Sequence, residues 1–296
     1  MNWNRLLIGL CGLLVSVSSF GQTNILNAKS PEDIGGPTVA EKKYGKAEPL
    51  EYGYVDERDI LWAKTTWEVV DLDERVNFPL YYPIDTNQIG GSRRSLYDVL
   101  VANIRNGNIK NIYADSYFND KRTLKDIQAA LSKVDTTDLG IEQYNAGEEI
   151  DQQYISRRDI SSADLVAYHI RGYWYFDKRQ AELKYRLLGI APVAPDVNFI
   201  DNPDAQPVEL FWVWFPDARP ALNEAYAFNP NNSSQSISFD HLLNARRFNG
   251  TIYAEDNVQG DRSVEDYISN NAFMQLLESE RIKEQIRNFE QDMWNY

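Results

Sequence analysis

Trp67-Glu-Val-Val-Asp-Leu-Asp-Glu-Arg-Val-Asn-Phe-Pro-Leu-Tyr-Tyr-Pro83 decides how this chain is read, because the pattern that begins there recurs. Trp67 placed on Trp214 carries Pro83 onto Pro230 without a gap. After a loop of different length the match resumes. Ser95-Leu-Tyr-Asp-Val-Leu-Val-Ala lies on Ser238-Phe-Asp-His-Leu-Leu-Asn-Ala, and Asn106-Gly107 on Asn249-Gly250. Beyond one more short gap, Ile112-Tyr-Ala-Asp115 aligns with Ile252-Tyr-Ala-Glu255, and Arg122-Thr-Leu-Lys-Asp126 with Arg262-Ser-Val-Glu-Asp266. Caps, turns and strand ends shared in one order predict an internal duplication.

The two copies also share physical logic. Ser95 precedes an apolar face at Leu96, Val99, Leu100 and Ile104, with Asp98 at the third helical position, which is a capped helix start. Asn106-Gly107 closes that helix, since glycine accepts the left-handed conformation found at many helix ends. In the second copy Ser238 opens, Leu242 and Leu243 supply the face, and Gly250 is expected to stop the helix. A short strand follows in each, Asn111 to Ala114 and Thr251 to Ala254. A second helix comes next, capped by Thr123 with Asp126 or by Ser263 with Asp266. Upstream, Ile60 to Leu72 alternates as a strand, and Asn77-Phe-Pro-Leu-Tyr-Tyr is expected to return as its hairpin partner. Pro79 and Pro83 would set that return at a sheet edge. The predicted class is α+β: two β-hairpin–helix–strand–helix units, residues 55–134 and 207–296.

Residues 135–206 join the units. Their first part, to about Ser162, is polar and reads as an excursion. A long hairpin follows, with Val166 to Phe176 going up, Asp177-Lys-Arg-Gln turning, and Ala181 to Ile190 coming back. Leu183, Tyr185 and Leu187 alternate with Glu182, Lys184 and Arg186, one buried face against one wet face. The chain ends on a helix whose apolar positions Phe273, Leu276, Leu277, Ile282, Ile286, Phe289 and Met293 predict a stripe packed on its own sheet.

The opening residues read as an export signal: Arg5, an apolar run from Leu6 to Val17, and small residues at Ser19-Phe20-Gly21. Residues 1–21 are expected to be removed, leaving a mature start at Gln22. The single cysteine, Cys11, sits inside that run after Leu10, so no thiol, disulfide or acyl anchor is expected in the mature chain. Residues 22–54, rich in Asn, Pro, Gly and Lys at their start, read as an extended arm. Removing Arg5 from a net charge of −14 leaves −15. Such a surface repels nucleic acid and anionic lipid and attracts basic partners. No second membrane-length apolar segment is read, so direct membrane insertion is not expected.

Reactive constellations are missing. The two histidines, His169 and His241, and the lack of a cysteine cluster argue against a zinc site, and no P-loop, dinucleotide fingerprint or Gly-x-Ser-x-Gly elbow occurs. No catalytic, metal or cofactor residue is therefore assigned. Gly90-Gly91-Ser92-Arg93-Arg94 has the makings of an anion loop, but the aligned Asn231 to Ser234 carries no such basic pair. Asp71, Asp73 and Glu74, and Glu148, Glu149 and Asp151, are the acid clusters a glycoside hydrolase reading would need; in so acidic a chain they also read as solvated turns. The abundant aromatics leave a carbohydrate- or peptide-binding module open as an alternative. Arg157-Arg158 and Arg246-Arg247 stand out against the acidic background and suit interfaces, or local ion pairs with Asp159 or Glu255.

The stretch from Ile60 to Pro83 resembles the signature of the GldN/PorN family of gliding-motility and type IX secretion proteins of Bacteroidetes. Trp62, Trp67, Asp71, Leu72, Glu74, Asn77, Pro79, Tyr81, Tyr82 and Pro83 fit its pattern, while Glu68 and Asp73 put an acid where the pattern prefers Arg. Lys125-Asp126-Ile127 and Glu209 to Asp217, with Trp212 and Trp214, fit as well. The resemblance implies a periplasmic, non-enzymatic ring subunit on the inner face of the outer membrane. It implies binding to a GldK/PorK-type lipoprotein, coupling to the GldL/GldM motor and self-association into a ring. The interface candidates are Trp62, Trp67, Tyr81, Tyr82, Arg157, Arg158, Trp212, Trp214, Arg246 and Arg247.

Overall fold

Strand β1 (Ile60–Asp71) sets the frame. Its alternation puts Trp62, Thr66, Glu68 and Val70 on one face and Ala63, Thr65 and Trp67 on the other. The computed structural model describes residues 48–85, 93–147, 151–199, 205–229 and 237–294. The expected export signal, most of the arm, the tip of the Gly90 loop, and Glu148 with Glu149 lie outside them. After β1 come α1 (Phe78–Tyr81), α2 (Leu96–Arg105), β2 (Ile112–Tyr113), α3 (Leu124–Leu131), β3 (Ser132–Thr136), α4 (Asp138–Asn145) and β4 (Ile155–Asp159). The chain continues through β5 (Ala167–Asp177), β6 (Glu182–Pro195), β7 (Pro207–Glu209), β8 (Trp212–Trp214), α5 (Phe215–Glu224), β9 (Tyr226–Ala227) and β10 (Ile237–Ser238). It ends with α6 (Phe239–Asn244), β11 (Thr251–Glu255), α7 (Val264–Tyr267) and α8 (Ala272–Trp294).

The fold is α+β. Its main sheet runs β11-β1-β5-β6-β8-β2, with β7 also on β6, and its ladders are antiparallel. The long hairpin is present as β5–β6, paired from Asp177↔Glu182 at the turn to Ala167↔Val193 at the far end. It forms the centre of this one sheet rather than a link between two bodies. β1 and β11 flank it on one side, and β8 and β2 on the other.

Two expectations are corrected. Asn77 to Tyr82 does not return as a strand. Asn77 ends a 3-10 turn and Phe78–Tyr81 is helical, with Pro79 in the first turn, where its missing N–H costs nothing. β1 finds its partners in β5 and β11 instead. Asn77, fully buried, ties this turn down: its amide donates to the carbonyls of Asp71 (2.7 Å) and Asn249 (3.0 Å) and accepts from the Asn249 N–H (2.9 Å). The gapless match of Trp67–Pro83 with Trp214–Pro230 also fails, because β1 stays extended to Asp71 whereas Phe215, next to Pro216, starts α5 at once.

Downstream, the two successions do agree. Ser95 and Ser238 each accept an N–H at the third helical position, at 3.2 Å. Thr123 with Asp126 and Ser263 with Asp266 form complete capping boxes. Both first helices end on paired Schellman bonds, but the left-handed position differs. It is Gly107 (φ 74) after α2 and Arg246 (φ 49) after α6. Gly250 is therefore not the stop; it lies where a Cβ would meet the Glu68 carboxylate at 2.8 Å.

One sheet face is covered by α1, α2, α5 and α6, which bury Leu80, Leu100, Ile104, Phe215, Leu222, Phe239 and Leu243 against Ile170, Leu187, Ile190 and Val213. Each such side chain contributes about 1.5–3 kcal/mol on burial. Further along the same face α8 lays Ile282 and Ile286 on Ile252 and Val264, flanked by Trp62, Trp174 and Leu183. Gly172 on β5 leaves room for the Tyr185 ring between these two cores, since a Cβ there would come within 2.3 Å of it. Gly172→Ala is thus expected to lower the urea midpoint by about 1–3 kcal/mol equivalent, with Gly53→Ala, which meets nothing within 4 Å, as a neutral control. The capping boxes add a pH signature. The Thr123 N–H and hydroxyl hold Asp126, and the Ser263 hydroxyl and N–H hold Asp266, below the usual carboxylate range. Folding favours these ionised carboxylates, so their stabilisation is present above the ordinary Asp value and is lost as pH falls through the lowered one. Asp126→Asn with Asp266→Asn should remove part of the acid-induced fall in melting temperature; an unchanged pH profile would contradict this.

Candidate interaction surface

Glu68 sits between the two cores with no exposed surface. A lone carboxylate there would be prohibitively desolvated. Arg246 reaches it from 178 residues away and binds it bidentately, Nη1 to Oε1 at 3.0 Å and Nη2 to Oε2 at 2.7 Å. The guanidinium lies over Tyr185 (4.2 Å), Trp174 (5.0 Å) and Phe248 (5.1 Å). Burial by itself lowers its pKa, and Tyr185 and Glu68 more than offset this, leaving it raised. An Arg at φ 49 carries backbone strain that glycine avoids. Its retention follows from the carboxylate it must reach. A second buried pair fastens the start of the described unit: Arg219 meets Asp240 at 2.8 Å and the Leu50 carbonyl at 2.6 Å. The Tyr52 ring lies 4.1 Å from Arg219 and 4.4 Å from Arg186, so the end of the expected arm is anchored.

The opposite sheet face is closed by the segment after β2. Phe118, at φ 63, presses on Gly189, where a Cβ would stand 2.5 Å from its ring, and meets Tyr113, Trp212 and Trp214 edge-on. Arg171 is surrounded by Trp67 (5.1 Å), Tyr117 (5.1 Å) and Phe118 (5.6 Å), and donates to the Ser116 carbonyl at 2.7 Å. Glu209 bridges His169 Nδ1 and the Trp212 indole N–H, each at 2.6 Å. Periodicity shows none of these contacts, and those of Phe118 with Gly189, Trp212 and Trp214, of Arg171 with Ser116, and of His169 with Glu209 join segments 40 or more residues apart.

The ten interface candidates therefore divide. Trp67 and Trp212 are buried, Trp214 is part of the Phe118 cluster, Trp62 stacks on Phe289 at 4.7 Å, and Tyr81 packs on the helical core. Arg246 pairs with Glu68, not with Glu255, which takes Lys64 at 2.6 Å. Tyr82, Arg157, Arg158 and Arg247 are exposed, with Arg157 bonded to Asp159 at 3.0 Å as one of the readings had it. Tyr82 stands beside exposed Val76, Phe78 and Ile84. Of the acid clusters, Asp71 accepts the Asp73 N–H and Glu74 the Asn249 amide, so both serve turns. Among the described residues no group of His, Cys, Asp and Glu is placed to hold a metal ion. The larger exposed apolar groups are instead on α8, at Phe273, Met274, Leu276 and Leu277. Only half of the expected stripe packs on the sheet.

Breaking the buried pair from one side should be costly. Arg246→Gly relieves the backbone but strands Glu68, with an expected loss of about 3 kcal/mol in urea denaturation. Glu68→Leu combined with Arg246→Gly should recover most of that loss. A single variant as stable as the parent chain would refute the assignment.

Among protein families, residues 55–295 match GldN, described as gliding motility associated protein GldN. The matched span takes in every element from β1 to α8. No curated protein matches the chain. No helix among the described residues is long and apolar enough to cross a membrane. With a match over most of its length, this chain belongs to the GldN family, and so to the components of gliding motility and type IX secretion.

Proposed function

We propose that the chain is a non-enzymatic scaffold subunit of that apparatus, a periplasmic ring component selected for surfaces that fit neighbours. In this reading a GldK/PorK-type lipoprotein holds it at the inner face of the outer membrane, and the GldL/GldM motor couples to it. The observation that carries the reading is the family match over the whole folded unit. The side-chain inventory supports it: the buried charges and indoles are used to hold the unit together, while large apolar side chains stand exposed on α1 and α8. Tyr82, Arg157, Arg158 and Arg247 are the partner contacts proposed from the sequence that remain on the surface.

We also read the two successions as copies of one ancestral unit. Cap, helix, short strand and boxed helix recur in order, and the two short strands lie at opposite edges of the sheet. Each pairs with the other copy's strand, β2 with β8 and β11 with β1. Such an exchange binds two half-units into one body.

Deletion of this protein is expected to abolish both spreading motility and secretion of type IX cargo, with envelope hydrolase activities intact. Complementation with the Tyr82→Ala chain should leave folding unchanged and weaken recovery of the lipoprotein in co-purification. Normal secretion in the deletion strain would overturn the reading.

A further inference from the structure

We propose that the cleft between the main sheet and α8 is a binding site for a small aryl monocarboxylate, one negative charge on a short apolar body. The site lies apart from the surfaces of the scaffold reading and goes beyond it.

The cleft encloses about 310 Å³. Its floor is one face of the sheet: Glu68 of β1, Trp174 of β5, Leu183 of β6 and Ile252 of β11. Glu68 and Ile252 are ladder partners, which puts both on that face. The roof is α8, whose Lys283, Ile286, Arg287 and Glu290 are spaced three, one and three apart and so share one helical stripe. That roof is pinned near both ends of the stripe. Ser279 Oγ accepts the Ile252 N–H at 2.8 Å, and Phe289 stacks on Trp62 at 4.7 Å. The fold itself therefore shapes the cleft, as small-molecule sites require. Apolar cavities of about 150 Å³ take benzene, so an aromatic ring with a short acid arm fits here.

Two observations select the ligand. The first is an unmatched donor: the Trp174 indole N–H is buried and has no partner among the described residues. A buried donor without an acceptor is costly, and a ligand oxygen removes that cost. Beside it, the Arg246 guanidinium lies 5.0 Å from the Trp174 ring and spends two N–H groups on Glu68, leaving donors for a second acceptor.

The second is charge. Arg246, Lys283 and Arg287 line the cleft against the carboxylates of Glu68 and Glu290, three cations to two anions in a chain of net charge −14. Glu68 holds Arg246, and the half-exposed Glu280 holds Lys283, whereas Arg287 forms no ion pair among the described residues. A monoanion balances the lining; a phosphate dianion overshoots it and a cation adds to it. In this site the carboxylate accepts the Trp174 N–H beside Arg246. The ring rests on Leu183, Ile252 and Ile286, and the exposed Arg287 stands at the mouth.

Nuclear magnetic resonance of the isotope-labelled chain reads the site at the donor itself, with phenylacetate as the probe. The indole signal that disappears in Trp174→Phe, which keeps an aromatic ring and removes the N–H, should shift saturably and furthest of all the indoles. Followed on the Ile252 and Ile286 amides, binding should weaken about tenfold in Trp174→Phe. Arg287→Gln should weaken it about threefold, a loss that added salt reproduces in the parent chain. Phenylacetamide, neutral and of similar shape, should not compete. Because Arg287 is exposed, its variant and the amide control still decide the matter if Trp174→Phe unfolds the chain. No saturable shift at millimolar phenylacetate, an equal response to phenylacetamide, tighter binding of phenyl phosphate, or affinity indifferent to Arg287→Gln would each overturn the proposal. None of these outcomes bears on the scaffold reading, which the deletion strain tests.

Discussion

The structure depends on a carboxylate placed where water cannot reach. Glu68 lies between the helical core and the core beneath α8, and Arg246 is its counter-ion. From that requirement several local peculiarities follow. Arg246 occupies a left-handed helix end where its counterpart is Gly107. Gly250 gives way to the carboxylate, and Gly172 to the Tyr185 ring beneath the guanidinium. A buried ion pair adds little net stability, since desolvation offsets most of the attraction. What it supplies is register: α6 cannot slide against β1 without stranding a charge.

The second constraint is the exchange of edge strands. A two-residue strand such as β2 is too short to be stable alone, and pairing with β8 places it under the Phe118 cluster. β11 is held by β1 on one side and by Ser279 and Ser263 on the other. Both sheet edges are thereby short or covered, which protects against uncontrolled strand addition. The ribbon β3–β4 stays outside this protection.

Legibility followed range. The helix starts at Ser95, Thr123, Ser238 and Ser263 were readable because a cap acts within three residues. The β5–β6 hairpin was readable from its alternation and its polar turn. Asn77 to Tyr82 was misread because Pro79 and Pro83 suit a strand end as well as a first helical turn, and the residue that decides, Asn249, lies 172 positions away. Gly250 was misread as a helix stop for a related reason, since its freedom is used for close approach. Of the interface candidates, the exposed ones are those on turns and on the ribbon, whereas Trp67 and Trp212 are buried and Trp62 and Trp214 half-buried; composition marks aromatic abundance but not where the rings face. The apolar stripe of α8 was legible, yet its outward half was not, since periodicity shows a face without showing what covers it.

Native-state hydrogen exchange with mass spectrometry tests the central claim most directly. If the Glu68–Arg246 pair couples the two cores, the amides of β1, α6 and the Ser279–Ile286 part of α8 should exchange through one common opening, and Arg246→Gly should speed all three alike. Exchange in α8 that is fast, independent and indifferent to Arg246 would contradict this.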